Sequence, residues 1–204
     1  CGALFAPGGE MDQARELARG NIRAFREAGV DFIVSNAGGC GALLVEYDHL
    51  LHDDPAFAED AAWFAAHVKD IAELIMAKGS IPNFREAEPV TVTYQDSCHL
   101  RNVMKAGNAP RHLLSRVGNA AYVELQGADR CCGSAGIYNL VQPEMSMDIL
   151  DHKMEHVKET GAHVLVTSNP GCLLQMKLGI EREGMSDRMK AVHLVDFLME
   201  AIDK

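Results

Sequence analysis

Four of the six cysteines fall in a pattern that could build a metal centre. Cys131 and Cys132 are adjacent in Asp129-Arg130-Cys131-Cys132-Gly133-Ser134. Cys98 precedes them in Asp96-Ser97-Cys98-His99, with 32 residues between, and Cys172 follows in Asn169-Pro170-Gly171-Cys172, with 39 residues between it and Cys132. Neighbouring cysteines rarely join each other, because disulfide geometry is specific and adjacent positions meet it only under strain. Both can face one ion or cluster if the chain turns sharply, and Gly133 gives the backbone that freedom. Thiolates are soft ligands that suit zinc or iron–sulfur clusters. Generic spacing does not choose between them. The close cysteine knuckles of a zinc site are absent, and so is the ferredoxin run. A disulfide enzyme would want C-x-x-C, which is missing too. Cys98 as a nucleophile beside His99 and four inert core cysteines complete the alternatives.

The other two cysteines belong to a second copy of the pattern. Cys1-Gly2 is followed by a helical stretch, then Gly29-Val30-Asp31-Phe32-Ile33-Val34-Ser35-Asn36, then Gly39-Cys40-Gly41. Cys132-Gly133 is followed by a helical stretch, then Gly161 to Asn169, then Gly171-Cys172. Gly29 to Cys40 is the same interval as Gly161 to Cys172, and the whole match slips by only one residue. Such self-similarity marks an internal repeat. The first copy has no equivalents of Cys98 and Cys131. The expectation is a C-terminal piece of a longer chain, with Cys1 and Cys40 the surviving half of a second site.

These loops need elements to position them. Residues 10–28 have the apolar spacing of an amphipathic helix, closed by Gly29, and Val30–Ser35 reads as a strand. Gly38-Gly39-Cys40-Gly41 reads as a turn, followed by a helix to about Leu51. Asp54-Pro55 is expected to open one long helix to Lys78, with Asp54 as its N-cap. Residues 79–89 are polar, carry two prolines and read as a linker. Strands are expected at 90–94, 121–125 and 164–167, and helices at 108–117, 143–160, 172–183 and 192–203. Alternating strands and helices imply parallel sheets covered by helices. The fold class is therefore α/β, with two pseudo-repeated Rossmann-like halves: 1–78, and 90–204 after the linker. Sites in such folds gather beyond the carboxyl ends of strands, where Cys40, Cys98 and Cys172 fall; Cys131 and Cys132 come a few residues after a strand.

The remaining features narrow the field. A length of 204 residues is enough for a real core. The net charge of −10 argues against nucleic acid as the main partner. No apolar run reaches the length of a membrane span. His152 and His156 share a helix face but lack the HExxH pattern and read as a solvated face. Met145, Met147 and Met154 read as core filling, and Trp63 and Phe64 as packing or a subunit interface.

Three segments carry a resemblance: Tyr94-Gln95-Asp96-Ser97-Cys98-His99-Leu100-Arg101-Asn102, Gly127 to Asn139 around Cys131-Cys132-Gly133, and Asn169-Pro170-Gly171-Cys172-Leu173-Leu174-Gln175. Together they resemble the cysteine-rich CCG family, which includes iron–sulfur subunits of glycolate oxidase, lactate-utilisation iron–sulfur proteins and the cysteine-rich subunit of heterodisulfide reductase. The likeness covers nearly the whole chain. It implies a 4Fe-4S cluster, with zinc the alternative, held by Cys98, Cys131, Cys132 and Cys172, while Cys1 and Cys40 belong to the first repeat. His99 and Arg130 are expected close behind the ligands. Backbone N–H groups from Gly133 and Ser134 onward are expected to donate to sulfur. The resemblance further implies flavin-containing glycolate oxidase subunits as partners, electrons moving from flavin towards quinone, and an N-terminal ferredoxin-like domain. A cytoplasmic location follows, peripheral on the inner face of the plasma membrane. A zinc-stabilised interaction module and a heterodisulfide-type reductase are the competing functions. The heterodisulfide reductase pattern ends in C-x-x-C, whereas Leu173-Leu174-Gln175 follows Cys172 here, so the fifth thiolate is absent.

Overall fold

Every fourth residue along one face of the first helix is small or apolar, and that stripe determines how it packs. In the computed structural model, which describes residues 1–79 and 89–202, α1 (Met11–Ala28) buries Ala14, Ala18 and Ile22 and leaves its charged residues in solvent. Gly29 ends it in the left-handed conformation, with its N–H returning to the Arg26 carbonyl. Next come β1 (Ile33–Ser35), α2 (Gly38–Leu44) and α3 (Tyr47–Leu50). The glycines expected to form a turn are instead the first turn of α2.

The single helix expected from Asp54 to Lys78 is three elements: α4 (Ala58–His67), β2 (Val68–Asp70) and α5 (Ile71–Lys78). Asp54 caps no helix. It accepts from the Ala56 N–H at 3.0 Å and pairs with Arg19 at 2.8 Å, while Phe57 stands at the N-cap of α4. The break comes at Val68 because β2 pairs in parallel with β1, Ile33 opposite Val68 and Ser35 opposite Asp70. Asp70 then restarts the helix by accepting the Ala72 N–H at 2.8 Å. Helical propensity along 58–78 is thus overridden by a partner strand distant in sequence.

The second sheet follows with β3 (Val90–Gln95), α6 (Cys98–Asn102), α7 (Ala109–Leu114), β4 (Ala120–Tyr122), α8 (Tyr138–Val141), α9 (Pro143–Glu159), β5 (Val164–Thr167), α10 (Pro170–Arg182), β6 (Lys190–His193) and α11 (Leu194–Ala201). Its strands are all parallel in the order β4-β3-β5-β6. The strand expected at 121–125 spans 120–122, and β6 occupies the start of a segment read as helix. His193 ends β6 and caps α11 by accepting the Val195 N–H at 3.2 Å, as Asp70 does after β2. The central strand β5 is buried throughout, as a parallel strand covered on both faces must be. Leu165 packs with Leu150, Met154 and Met176 under α9 and α10, and Val164 and Val166 pack with Tyr94, Leu113 and Leu198 on the other face. A third core holds α1 against α4, with Phe64 buried in it and Trp63 at its edge under Arg26. Met154 is core and Met147 packs at its margin, but Met145 is 51 % exposed, because it points off the outer side of α9. The architecture is α/β, parallel sheets flanked by helices.

The repeat is visible in three dimensions. Shifting by 132 aligns the buried Ala14, Ala18 and Ile22 of α1 with the buried Ser146, Leu150 and Met154 of α9. The series α1-β1-α2 and β2-α5 corresponds to α9-β5-α10 and β6-α11. The expected linker 79–89 falls, for residues 80–88, outside the described residues. The two sheets nevertheless meet through their cysteine-bearing loops. The Gly38 N–H donates to the Ser168 carbonyl at 3.0 Å, the Gly39 N–H to Asn169 Oδ1 at 2.9 Å, and His193 Nε2 lies 2.8 Å from the Asn36 carbonyl.

Candidate metal centre

Three connections at the carboxyl edge of the larger sheet converge. After β3, Ser97 caps α6 by accepting the Leu100 N–H, which places Cys98 at the first residue of that helix. After β5, Pro170 opens α10, its fixed φ suiting a first turn, and Cys172 follows in the same turn. Cys131 and Cys132 lie in the irregular segment after β4, which Gln95 holds in place. The Gln95 amide nitrogen donates to the carbonyls of Asp96, Ala128 and Arg130 at 2.9, 3.1 and 3.1 Å, and the Asp96 N–H adds a bond to the Ala128 carbonyl. Asp96 itself is buried between Arg101 and Arg111, at 2.8 and 2.7 Å.

Gly133 makes the turn behind the cysteine pair. Its φ is +95°, and a Cβ there would stand 2.4 Å from the Ser146 carbonyl oxygen, so only glycine fits. Ser146 Oγ donates to the Gly133 carbonyl at 2.9 Å and receives from Gln175 Nε2 at 3.0 Å. In the first repeat the equivalent glycine, Gly2, has φ +89° and meets Ala14 and Leu43 instead. The same close approach is apolar in one half and hydrogen-bonded in the other.

The four thiols line up in a row, Cys98 beside Cys131, Cys131 beside Cys132 and Cys132 beside Cys172. The Cys132 and Cys98 thiols therefore hold Cys131 well below the usual thiol range, against burial and with help from the Gly133 N–H at 3.3 Å. The Cys132 thiol also lowers Cys172, against burial, with the Asn169 amide 3.5 Å from its sulfur. Hydrogen bonding with Cys131, together with burial, pushes Cys98 and Cys132 up. The donor set is right for a four-thiolate ion or cluster, and the N–H groups of Gly133 and Ser134 reach the sulfurs of Cys131 and Cys132. Gln95 and Thr167, partners across β3 and β5, each keep a buried side-chain oxygen without a protein partner among the described residues. Among the described residues no three His, Cys, Asp or Glu side chains stand ready around a metal ion as they are.

The remaining predicted residues fall at different distances from this row. His99 is exposed, its Nδ1 3.8 Å from the Cys98 sulfur. Arg130 is exposed, and it is its backbone carbonyl that serves the site, through Gln95. Ser134 is buried with its Oγ close to Gly171, so it packs the Cys172 turn. Cys1 and Cys40 do not join the four. The Cys1 carbonyl accepts from the Tyr47 hydroxyl at 2.8 Å, and burial raises the pKa of that hydroxyl. Reasoning from sequence missed Gln95, Asp96, Ser146, Gln175, Asn169 and Lys153. The legible signal was polarity inside buried stripes: Gln95 ends an apolar strand, and Lys153 adjoins core Met154. His152 and His156 pair edge to face on α9, each within ion-pair distance of its own glutamate.

A family model described as a cysteine-rich domain, CCG, matches residues 1–45 and 92–177. The chain is 54 % identical over 206 residues to a protein named as a probable glycolate oxidase iron-sulfur subunit from Bacillus subtilis (strain 168), covering 98 % of this chain and 46 % of that protein. It is 32 % identical to lactate utilization protein A of Lysinibacillus sphaericus (strain C3-41), covering 97 % of this chain and 85 % of that one. The B. subtilis lactate utilization protein A is 30 % identical, at 97 % and 82 % coverage. The chain thus spans less than half of the first relative and most of the other two.

Proposed function

The chain belongs to the cysteine-rich CCG domain family, and from that footing we propose that it is an electron-transfer module of an iron–sulfur oxidoreductase, with one 4Fe-4S cluster held by Cys98, Cys131, Cys132 and Cys172. The observation that carries this reading is the convergence of four thiols from three loops into one row. When bound, such a cluster accepts and releases single electrons, at a potential that follows net charge, hydrogen bonds to sulfur and burial. The protein's own part is to supply those influences. Gly133 and Ser134 donate N–H groups, Asn169 donates its amide to Cys172, and Gln95 and Ser146 fix the loop that carries Cys131 and Cys132. Cys172 and Cys132 are buried and Cys98 and Cys131 half-buried, so the edge formed by Cys98 and Cys131 is the side open to a redox partner.

The names of the relatives support a finer version. The module serves a flavin-linked oxidase of glycolate or a related 2-hydroxy acid, receiving electrons from flavin-containing subunits and passing them towards quinone. It works in the cytoplasm, peripheral to the inner face of the plasma membrane. No helix among the described residues is long and apolar enough to cross a membrane. The deciding experiment is the content of iron, zinc and acid-labile sulfide in protein purified without oxygen. About four iron and four sulfide per chain is the expected result. About one zinc without sulfide would overturn electron transfer and leave a structural module.

A further inference from the structure

We propose that Lys153 is the built-in counter-charge of the four-cysteine centre, and that its ammonium group sets the potential at which the centre takes up an electron. Lysine is almost never fully buried unless paired, yet Lys153 is 3 % exposed in the middle of α9. Its Nζ donates to the Gly127 carbonyl, in the loop that leads to Cys131. Among the described residues no carboxylate lies within ion-pair distance of it. The titratable groups that act on it most strongly lie on that loop: Cys132, Asp129 and Cys131, and Arg130, which carries the same sign as Lys153. Asp129 and Arg130 are adjacent residues of opposite sign, and Cys131 and Cys132 are both thiolates when they ligate a metal. Burial weakens the hold of Lys153 on its proton, and Cys132 opposes that effect most strongly.

The repeat supplies an internal comparison. The residue of α1 equivalent to Lys153 is Asn21, whose amide donates to the Tyr47 hydroxyl, which in turn donates to the Cys1 carbonyl. The same helical position carries a neutral amide in the first repeat and an ammonium in the second. Its neighbours follow suit, with Ala14 and Leu43 in one half against Ser146 and Gln175 in the other. A cation within a low-dielectric wall favours whichever state carries more negative charge. For a centre that gains one electron from a reduced one-electron donor, that is the reduced state, so the ammonium raises the potential.

This inference rests on the iron–sulfur reading, and the two can fail separately. The test is a dye-mediated anaerobic redox titration of the full chain, reconstituted with iron and sulfide and followed by visible absorption and paramagnetic resonance. Lys153→Gln keeps a donor for Gly127 but loses the charge, and Lys153→Arg keeps the charge. The expected result is a lower midpoint potential for Lys153→Gln and one close to the parent for Lys153→Arg. Melting of the cluster-free chains shows whether each variant folds, and Lys153→Leu, which packs against the core around Met154, is the second neutral variant with the same expectation. A folded, fully loaded neutral variant at the parent's potential overturns the role of Lys153 and leaves the cluster reading standing. A parent chain that takes up no iron and sulfide overturns the cluster reading, and this inference with it.

Discussion

Among single residues, two positions have effects that residue type alone would not rank. Gly133 and Gly161 both have positive φ, at +95° and +59°, but only Gly133 lies against backbone, with a Cβ position 2.4 Å from the Ser146 oxygen. Gly161→Ala meets open space and should cost about 1 kcal/mol for the left-handed backbone. Gly133→Ala adds a steric clash and should cost roughly 2–4 kcal/mol, with loss of bound iron. Urea unfolding of the two variants checks the contrast. Asp70 is the other case. Burial raises its carboxyl to about 6, against the N–H of Ala72. Because the folded value lies above the unfolded one, near 3.9, the folded chain holds a proton that the unfolded chain has released between about pH 4 and 6. The contribution of Asp70 to stability is therefore full below about pH 4, falls as pH rises to about 6 and is flat above, a change of about 3 kcal/mol. Asp70→Asn keeps the cap of α5 and should flatten that slope, measured by unfolding across pH 4–7.

Among the elements, the cysteine loops are only as fixed as the strand ends that hold them. Gln95 binds three carbonyls in and around the segment carrying Cys131. Gln95→Leu should cost about 1–3 kcal/mol and lower the iron retained per chain after gel filtration. Retention equal to the parent would show that the loop holds itself. Asp96 is 1 % exposed between two arginines, of which Arg111 is 19 % exposed. Asp96→Ala removes one of the two carboxylates on Arg111, which keeps Glu124 at 2.7 and 2.9 Å, so the expected loss is about 1–3 kcal/mol for the lost charged hydrogen bonds, read from the urea midpoint. Elements also show where reading from sequence stops. α1, α9 and β5 were legible because each displays its own periodicity or apolar run. β2 and β6 were not, because Val68-Lys69-Asp70 and Lys190-Ala191-Val192-His193 become strands only through pairing with β1 and β5.

In the molecule as a whole, the two halves are joined at the loops that carry their cysteines. Gly38 of α2 approaches α6 so closely that a Cβ would stand 2.2 Å from Ser97 Oγ and 3.0 Å from Leu100 Cβ. Gly38→Ala should push α2 away from the helix that begins with Cys98, costing about 1–3 kcal/mol. In calorimetry the parent is expected to melt in one transition and this variant in two. One unchanged transition would mean the halves are held together elsewhere. Asn169 belongs to the same junction, since one side chain accepts from Gly39 and donates to the sulfur of Cys172.

The α/β class, the repeat and the placing of cysteines after strand ends could all be read from the chain alone, because they are written in local periodicity, spacing and glycine placement. That Cys98, Cys131, Cys132 and Cys172 form one row while Cys1 and Cys40 stay apart emerged only when the loops were seen in space. So did the support that Gln95, Ser146, Gln175 and Lys153 give to that row. Those residues act across gaps of tens of positions, through single hydrogen bonds and one buried charge. No local pattern records such contacts, because distance along the chain is unrelated to distance across a sheet edge.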